Sequence, residues 1–202
     1  MSEPAARSYF DAAGRRLAAG GEWGWEVLKR RFGTFGVAAL FALVLATGSS
    51  AVSSSRQVVI RDNCDPATFN ANVRPGACVR EGGGTKFLTF IGQLMEQGRA
   101  PAWRFAPEQL KLAGGGTLEA PNLGGEDHTF TEVANFGGGC IAVLNGILGL
   151  SPVPECAGFP GGAFGATVVP AGGSLTTAPL TPGIHRFECL IHPWMRTTVE
   201  VD

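Results

Sequence analysis

Beyond residue 55 the apolar residues of this chain come in short runs, several of them alternating with polar ones, and turn residues break them about every ten positions. Alternation with period two puts successive side chains on opposite faces of a strand, so these runs predict short strands. Candidates are Val58–Ile60, Lys86–Ile91, two strands around the glycine turn of Leu110–Ala120, His128–Val133, Ala166–Val169, Ile184–Cys189 and Thr197–Val201. FIGQLMEQG, residues 90–98, has room for a helical turn but for nothing long. With 30 Gly and 13 Pro, the composition suits strands joined by turns, and the pattern predicts an all-β sandwich or barrel. Gly137 to Gly165 is too long for a tight turn and reads as an insertion whose aliphatic residues form a self-packed lid or, alternatively, a partner-binding patch.

Residues 32–55 carry no charge, and their centre, FGVAALFALVLA, is strongly apolar. As a helix this segment reaches roughly 36 Å, enough to cross the hydrocarbon core of a bilayer. Arg15, Arg16, Lys29, Arg30 and Arg31 precede it and favour a cytoplasmic N-terminus, and Trp23 and Trp25 suit a membrane interface. The expectation is a transmembrane signal-anchor behind a basic leader. The alternative is a signal peptide cleaved near Ser49-Ser50-Ala51. Both place everything after Ser55 outside the cytoplasm. Charge gives no reason to expect nucleic acid: 16 Lys and Arg against 17 Asp and Glu leave a net −1.

Exported cysteines meet an oxidising compartment. Of the five cysteines, Cys64 and Cys78 share one loop and Cys140 and Cys156 another. Nearest-neighbour pairing gives two bridges, each contributing about 3 kcal/mol by loop-entropy arguments. The other connectivities of four cysteines stay open. Cys189 is left over.

Cys189 stands in HRFECLIHPWMRTTVEV, residues 185–201, where His192 and Met195 follow with the spacing C-x-x-H-x-x-M. A loop after the strand brings both back towards the thiol. Thiolate, imidazole and thioether form a soft set that favours copper over calcium or magnesium; zinc takes Cys and His but seldom needs a thioether. A trigonal His2Cys site with a long axial Met is the geometry of a blue copper centre, and it needs a second histidine. The chain has 3 His. His185 lies some ~13 Å from Cys189 along one strand, at ~3.3 Å per residue, which leaves His128. His185 then reads as a hydrogen-bonded structural residue before any role in proton or electron transfer, and Glu126 and Asp127 as a solvated turn, the other reading being contact to a metal ligand. Pro193 and Trp194 either pack the loop or form an apolar docking surface around His192. Multicopper oxidases need further histidine-rich sites, which three histidines cannot build.

At these residues the sequence resembles the cupredoxins, the family of plastocyanin and amicyanin. The short loop of Cys189, His192 and Met195, with Pro193 after the histidine, is similar to that of amicyanin. FAPEQLKLAGGGTLEAPNLGGEDHTF, residues 105–130, is similar to the family's second and third strands. The resemblance covers about Phe105 to Val201. It implies a Greek-key β-sandwich holding one type 1 copper on His128, Cys189, His192 and Met195. Thr129 stands where the family often has asparagine, and His185 where relatives often carry tyrosine. The expected organisation is a leader (1–31), a span (32–55), a disulfide-stapled extension (56–86) and a copper domain (87–202) with an insertion at 137–165. The implied function is carriage of single electrons between redox protein partners on the periplasmic side of the membrane, without enzyme activity or a small-molecule substrate. Two other functions stay open: copper delivery, and a non-catalytic subunit of a membrane respiratory or photosynthetic complex.

Overall fold

The computed structural model describes residues 54–202. The leader and the span or signal segment, apart from Ser54 and Ser55, therefore lie outside the described residues. Among the described residues, no helix is long and apolar enough to cross a membrane.

In chain order the elements are β1 (Ser55–Gln57), β2 (Val59–Arg61), α1 (Pro66–Asn72), α2 (Phe87–Gln97), β3 (Arg104–Ala106), β4 (Gln109–Leu112), β5 (Thr117–Pro121), β6 (His128–Thr129) and β7 (Thr131–Glu132). There follow α3 (Ala142–Leu148), a 3-10 turn (Pro154–Cys156), α4 (Gly162–Ala166), β8 (Val168–Val169), β9 (Ser174–Thr176), β10 (Gly183–Glu188) and β11 (Arg196–Val201). One sheet runs β4-β11-β10-β7 and a second β1-β5-β9, with β2–β3 and β6–β8 as two-stranded ribbons. The β10–β11 hairpin is antiparallel, from Gly183 opposite Val201 to Glu188 opposite Arg196. β4 joins β11 in parallel, and β1 joins β5 in parallel. The glycine turn at residues 113–116 thus carries the chain from one sheet to the other and does not close a hairpin.

A single buried cluster fills the space these sheets enclose. It takes Leu112, Phe187, Val199 and Val201 from the first sheet, Leu118 and Ala120 from the second, and Ile60 and Phe105 from the β2–β3 ribbon. Phe130 stacks on Phe187 with centroids 4.5 Å apart and meets Phe105 edge-on. Such aromatic pairs add to the gain from burying their area.

The fold is mostly β and not all-β, and the differences have local causes. Lys86–Ile91, expected as a strand, opens the eleven-residue helix α2. Phe87, Phe90, Ile91 and Leu94 recur at i, i+3, i+4 and i+7, a helical stripe that a six-residue window cuts short. Phe90 and Leu94 are buried, while Leu88 and Met95 on the other face are exposed. Gly98 ends the helix in the left-handed conformation, φ 68°, as a glycine does most easily. α1 also went unanticipated, though its start carries ordinary signals. The Asp65 carboxylate accepts from Thr68 N at 2.9 Å, and Pro66 occupies the first turn.

Both disulfides join nearest neighbours, Cys64 to Cys78 and Cys140 to Cys156. The first ties down the loop after α1. The second closes a small core of its own, in which Val133, Val153 and Leu190 meet Phe136 and Phe164. His185 is held as the sequence suggested. Its Nδ1 lies 2.6 Å from Glu132 Oε1 on β7 and its Nε2 lies 2.8 Å from Thr181 O.

Both ring nitrogens of His185 face acceptors, so both can donate only when the ring is an imidazolium. Partial burial works against that charge, but Thr181 and Glu132 outweigh it and hold the pKa above the ordinary 6.5. A pKa raised on folding adds stability that is fully present below the unfolded value and is lost as pH rises through the folded one. Thermal unfolding should therefore show wild type ahead of His185→Gln at about pH 5.5, with the gap narrowing at alkaline pH. A gap independent of pH would mean that folding leaves the His185 pKa unchanged, and a gap that widens towards alkaline pH would mean that the folded ring is held neutral.

Candidate metal centre

Three segments bring the donors together. β10 delivers Cys189 at its exit, β6 opens on His128, and the loop at 190–195 folds His192 back between them. That loop is closed by two backbone bonds: Cys189 N donates to Met195 O at 3.1 Å and Met195 N to His192 O at 2.9 Å. Cys189 Sγ lies 3.7 Å from His128 Nδ1 and 3.9 Å from His192 Nδ1, and the two Nδ1 atoms are 3.2 Å apart. Cys189, His128 and Met195 have no exposed surface, and His192 keeps 4%. Pro193 is buried and Trp194 half-buried, so both pack the loop.

Burial alone would push the Cys189 thiol up. Hydrogen bonds and positive charge from His128 and His192 overcome it and draw the thiol well below its ordinary range, favouring the thiolate. Thr129 N also points at the sulfur, 3.4 Å away. The Thr129 hydroxyl accepts from Leu190 N at 2.7 Å, tying the segment after the first histidine to the segment after the cysteine. Asparagine often stands at this position in the family the sequence resembles; here the shorter hydroxyl of threonine makes the tie.

Asp62 was not among the residues singled out from the sequence. Its side chain and that of His128 are both fully buried, with Oδ2 3.0 Å from Nε2. The same carboxylate accepts from Gly125 N at 2.8 Å, Glu126 N at 3.0 Å and Cys64 N at 3.2 Å. Burial opposes its charge, but His128 and these N–H groups hold its pKa down at about 2. His128, caught between Asp62 and the Cys189 sulfur, is pushed up to about 10 against its own burial. With Nε2–H given to Asp62, Nδ1 is the nitrogen that faces Cys189 and His192. One local signal for this contact was in the sequence. A Cβ at Gly124 would run into the Asp62 carboxylate, and one at Gly125 into Arg80 and Cys64, so the glycine pair is what lets the loop close on the extension.

Glu126 departs from the expected solvated turn. It is buried, accepts from Trp103 Nε1, and stands 3.8 Å from His192 Nε2. Desolvation raises its carboxyl above the ordinary range, with His192 and Trp103 working the other way. Asp127 keeps the expected exposure and pairs with Arg74 at 3.5 Å. The His192 ring sits under aromatic cover, edge-on to Phe90 and Trp194 at centroid distances of 6.3 and 5.3 Å. Beside it, α1, α2 and α3 line a groove of about 390 Å³ with Glu126, Ile191 and His192 among its lining residues. The insertion seals the opposite side. Cys140 N donates to Leu190 O at 2.6 Å, and Gly139 lies so close to Leu190 that no Cβ fits. Arg196 Nη2 donates to Gly137 O, and Arg196 Nε and Gly137 N both reach the buried Glu188.

The donor set can be tested for fit to a metal. Two nitrogens 3.2 Å apart cannot both carry a proton between them, so at least one lone pair points into the cluster. A thiol drawn towards its anion stands beside that lone pair. Thiolate and two imidazoles suit a soft or borderline ion and not calcium or magnesium, so the residues fit copper.

No protein-family model matches the chain, and no curated protein matches it. Among solved structures it is similar to a novel purple cupredoxin from Nitrosopumilus maritimus, at 15% identity and TM-score 0.38, over 72% of this chain and 98% of that one. It is also similar to a mutant amicyanin in the Cu(I) state, at 16% identity and TM-score 0.32, over 49% of this chain and 73% of that one. A third is the oxidised plastocyanin of Dryopteris crassirhizoma, at 18% identity and TM-score 0.32, over 50% of this chain and 89% of that one.

The Thr129 tie makes a direct prediction. Thr129→Val strands the Leu190 N–H in a dry site and should cost about 1–3 kcal/mol in urea unfolding, whereas Thr129→Ser should keep most of the stability. Equal losses in the two variants would show that the hydroxyl does not carry the contact.

Proposed function

We propose that this chain is an exported blue copper protein that carries single electrons between redox protein partners. The observation that carries the reading is the convergence of Cys189 Sγ, His128 Nδ1 and His192 Nδ1 in a buried cluster, with the fully buried Met195 bonded through its backbone to Cys189 and His192. His128, Cys189 and His192 would hold the ion, with Met195 as a fourth ligand. Copper bound there supplies one-electron chemistry between its Cu(I) and Cu(II) states. The chain's own residues keep the donors in one arrangement, through the Thr129 tie, the Asp62 contact and the lid over Leu190. They also exclude water. A catalytic metal site keeps a ligand position open to substrate; burial of all three donors supports a carrier over an enzyme. The same burial speaks against copper delivery, which needs ligand exchange at an accessible ion. A redox partner docks where His192 comes nearest the surface, on the face that carries the half-buried Trp194 and the groove of α2 and α3.

Residues 32–55 act as a single-pass anchor that keeps the copper domain at the periplasmic face of the membrane. Two disulfides support export, since such bridges persist in oxidising compartments.

Two measurements test these statements. The purified full-length chain, given one equivalent of Cu(II), should develop an intense visible thiolate-to-copper band that Cys189→Ser abolishes; a colourless oxidised complex would overturn the assignment. N-terminal sequencing of native protein from the membrane fraction should find Met1 or Ser2. A mature chain starting near Val52 would replace the anchored carrier with a soluble periplasmic one.

A further inference from the structure

We propose that Asp62 is a positioning residue of the metal centre: its carboxylate fixes the His128 ring through Nε2–H and places a permanent negative charge one imidazole away from the metal. The proposal rests on the copper reading above. Its grounds are geometric. Asp62 sits between β2 and the Cys64–Cys78 bridge, in the extension outside the stretch that resembles the cupredoxins, yet it reaches 3.0 Å from His128 Nε2 with neither side chain exposed. Its two oxygens also take the backbone N–H groups of Gly125 and Glu126, so one carboxylate holds both the ligand ring and the loop leading to it. The paired glycines Gly124 and Gly125 leave the space for that approach.

Two consequences follow. A carboxylate accepting the remote N–H of a ligand imidazole fixes ring and tautomer and makes the other nitrogen a stronger donor. A fixed negative charge in a dry site favours the more positive oxidation state, so Asp62 holds the reduction potential down. A residue that served only to pack the extension would do neither.

The test compares the full-length wild type with Asp62→Asn, Asp62→Ala and Asp65→Asn. Asp65 caps α1 in the same extension and lies away from the centre, so its change controls for simple loosening. Redox titration of the visible band should show Asp62→Asn shifting the Cu(I)-to-Cu(II) affinity ratio at least tenfold towards Cu(I), about 59 mV upward for one electron, with the band retained. Asp62→Ala should weaken copper binding about tenfold or more, and Asp65→Asn should change neither quantity. In the metal-free chain, nitrogen NMR should find His128 protonated at Nε2 in wild type and should lose that slowly exchanging ring N–H in Asp62→Ala. A potential in Asp62→Asn that tracks Asp65→Asn would overturn the tuning role. If wild type binds no copper, the electron-carrier function fails on its own. The ring signal then decides the positioning role, and an unchanged His128 N–H in Asp62→Ala overturns it.

Discussion

Polar atoms taken out of water must find partners, and here that requirement is concentrated on a few side chains. A buried carboxylate, a buried thiol and two buried imidazoles would each cost several kcal/mol if left alone. They are stable because each answers another: Asp62 answers His128, His128 and His192 answer Cys189, and Thr129 answers both the sulfur and the Leu190 N–H. Removing one member leaves the rest uncompensated. That is why the centre draws on segments so far apart in the chain.

The labour is divided between those segments. The sheet β4-β11-β10-β7 supplies rigidity and aims Cys189, with Phe187 stacked on Phe130 behind it. The extension supplies Asp62 and Phe69, and Phe69 joins Phe90 and Trp103 from the following segment in an aromatic cluster with centroid distances of 4.7 to 5.7 Å on the His192 side. The insertion closes the Leu190 side through Gly139 and Cys140. Neither the extension nor the insertion is an ornament on a finished domain, because each borders a ligand loop.

What the sequence revealed follows from how local each feature is. Cys189, His192 and Met195 lie within one short loop, so their spacing alone suggested a common ion. His128 came by elimination, since three histidines leave little choice. The bridges followed from proximity along the chain. Asp62 was hidden because nothing near it marks it as a partner of a histidine 66 residues away. Glu126 looked solvated because its burial depends on Trp103, 23 positions upstream. The helix α2 was missed for a different reason: KFLTFI is a short apolar run that a strand or a helix could carry, and only Leu94 and Gly98 beyond it show that the stripe is helical.

The seclusion of Cys189 bears on how the protein is made. Four of the five cysteines must pair correctly while the fifth stays single, and on the proposed export they do so in an oxidising space. A thiolate is the species that attacks disulfides, so a thiol drawn towards its anion is a hazard for as long as it remains reachable. Cys189 ends one arm of a hairpin whose contacts are local, and hairpins close within about 1–10 μs, whereas disulfide exchange takes seconds or longer. Maturation thus has a built-in order. The hairpin folds the odd sulfur inward faster than the slow oxidation chemistry can recruit it, and the fold acts as a protecting group for its own reactive atom.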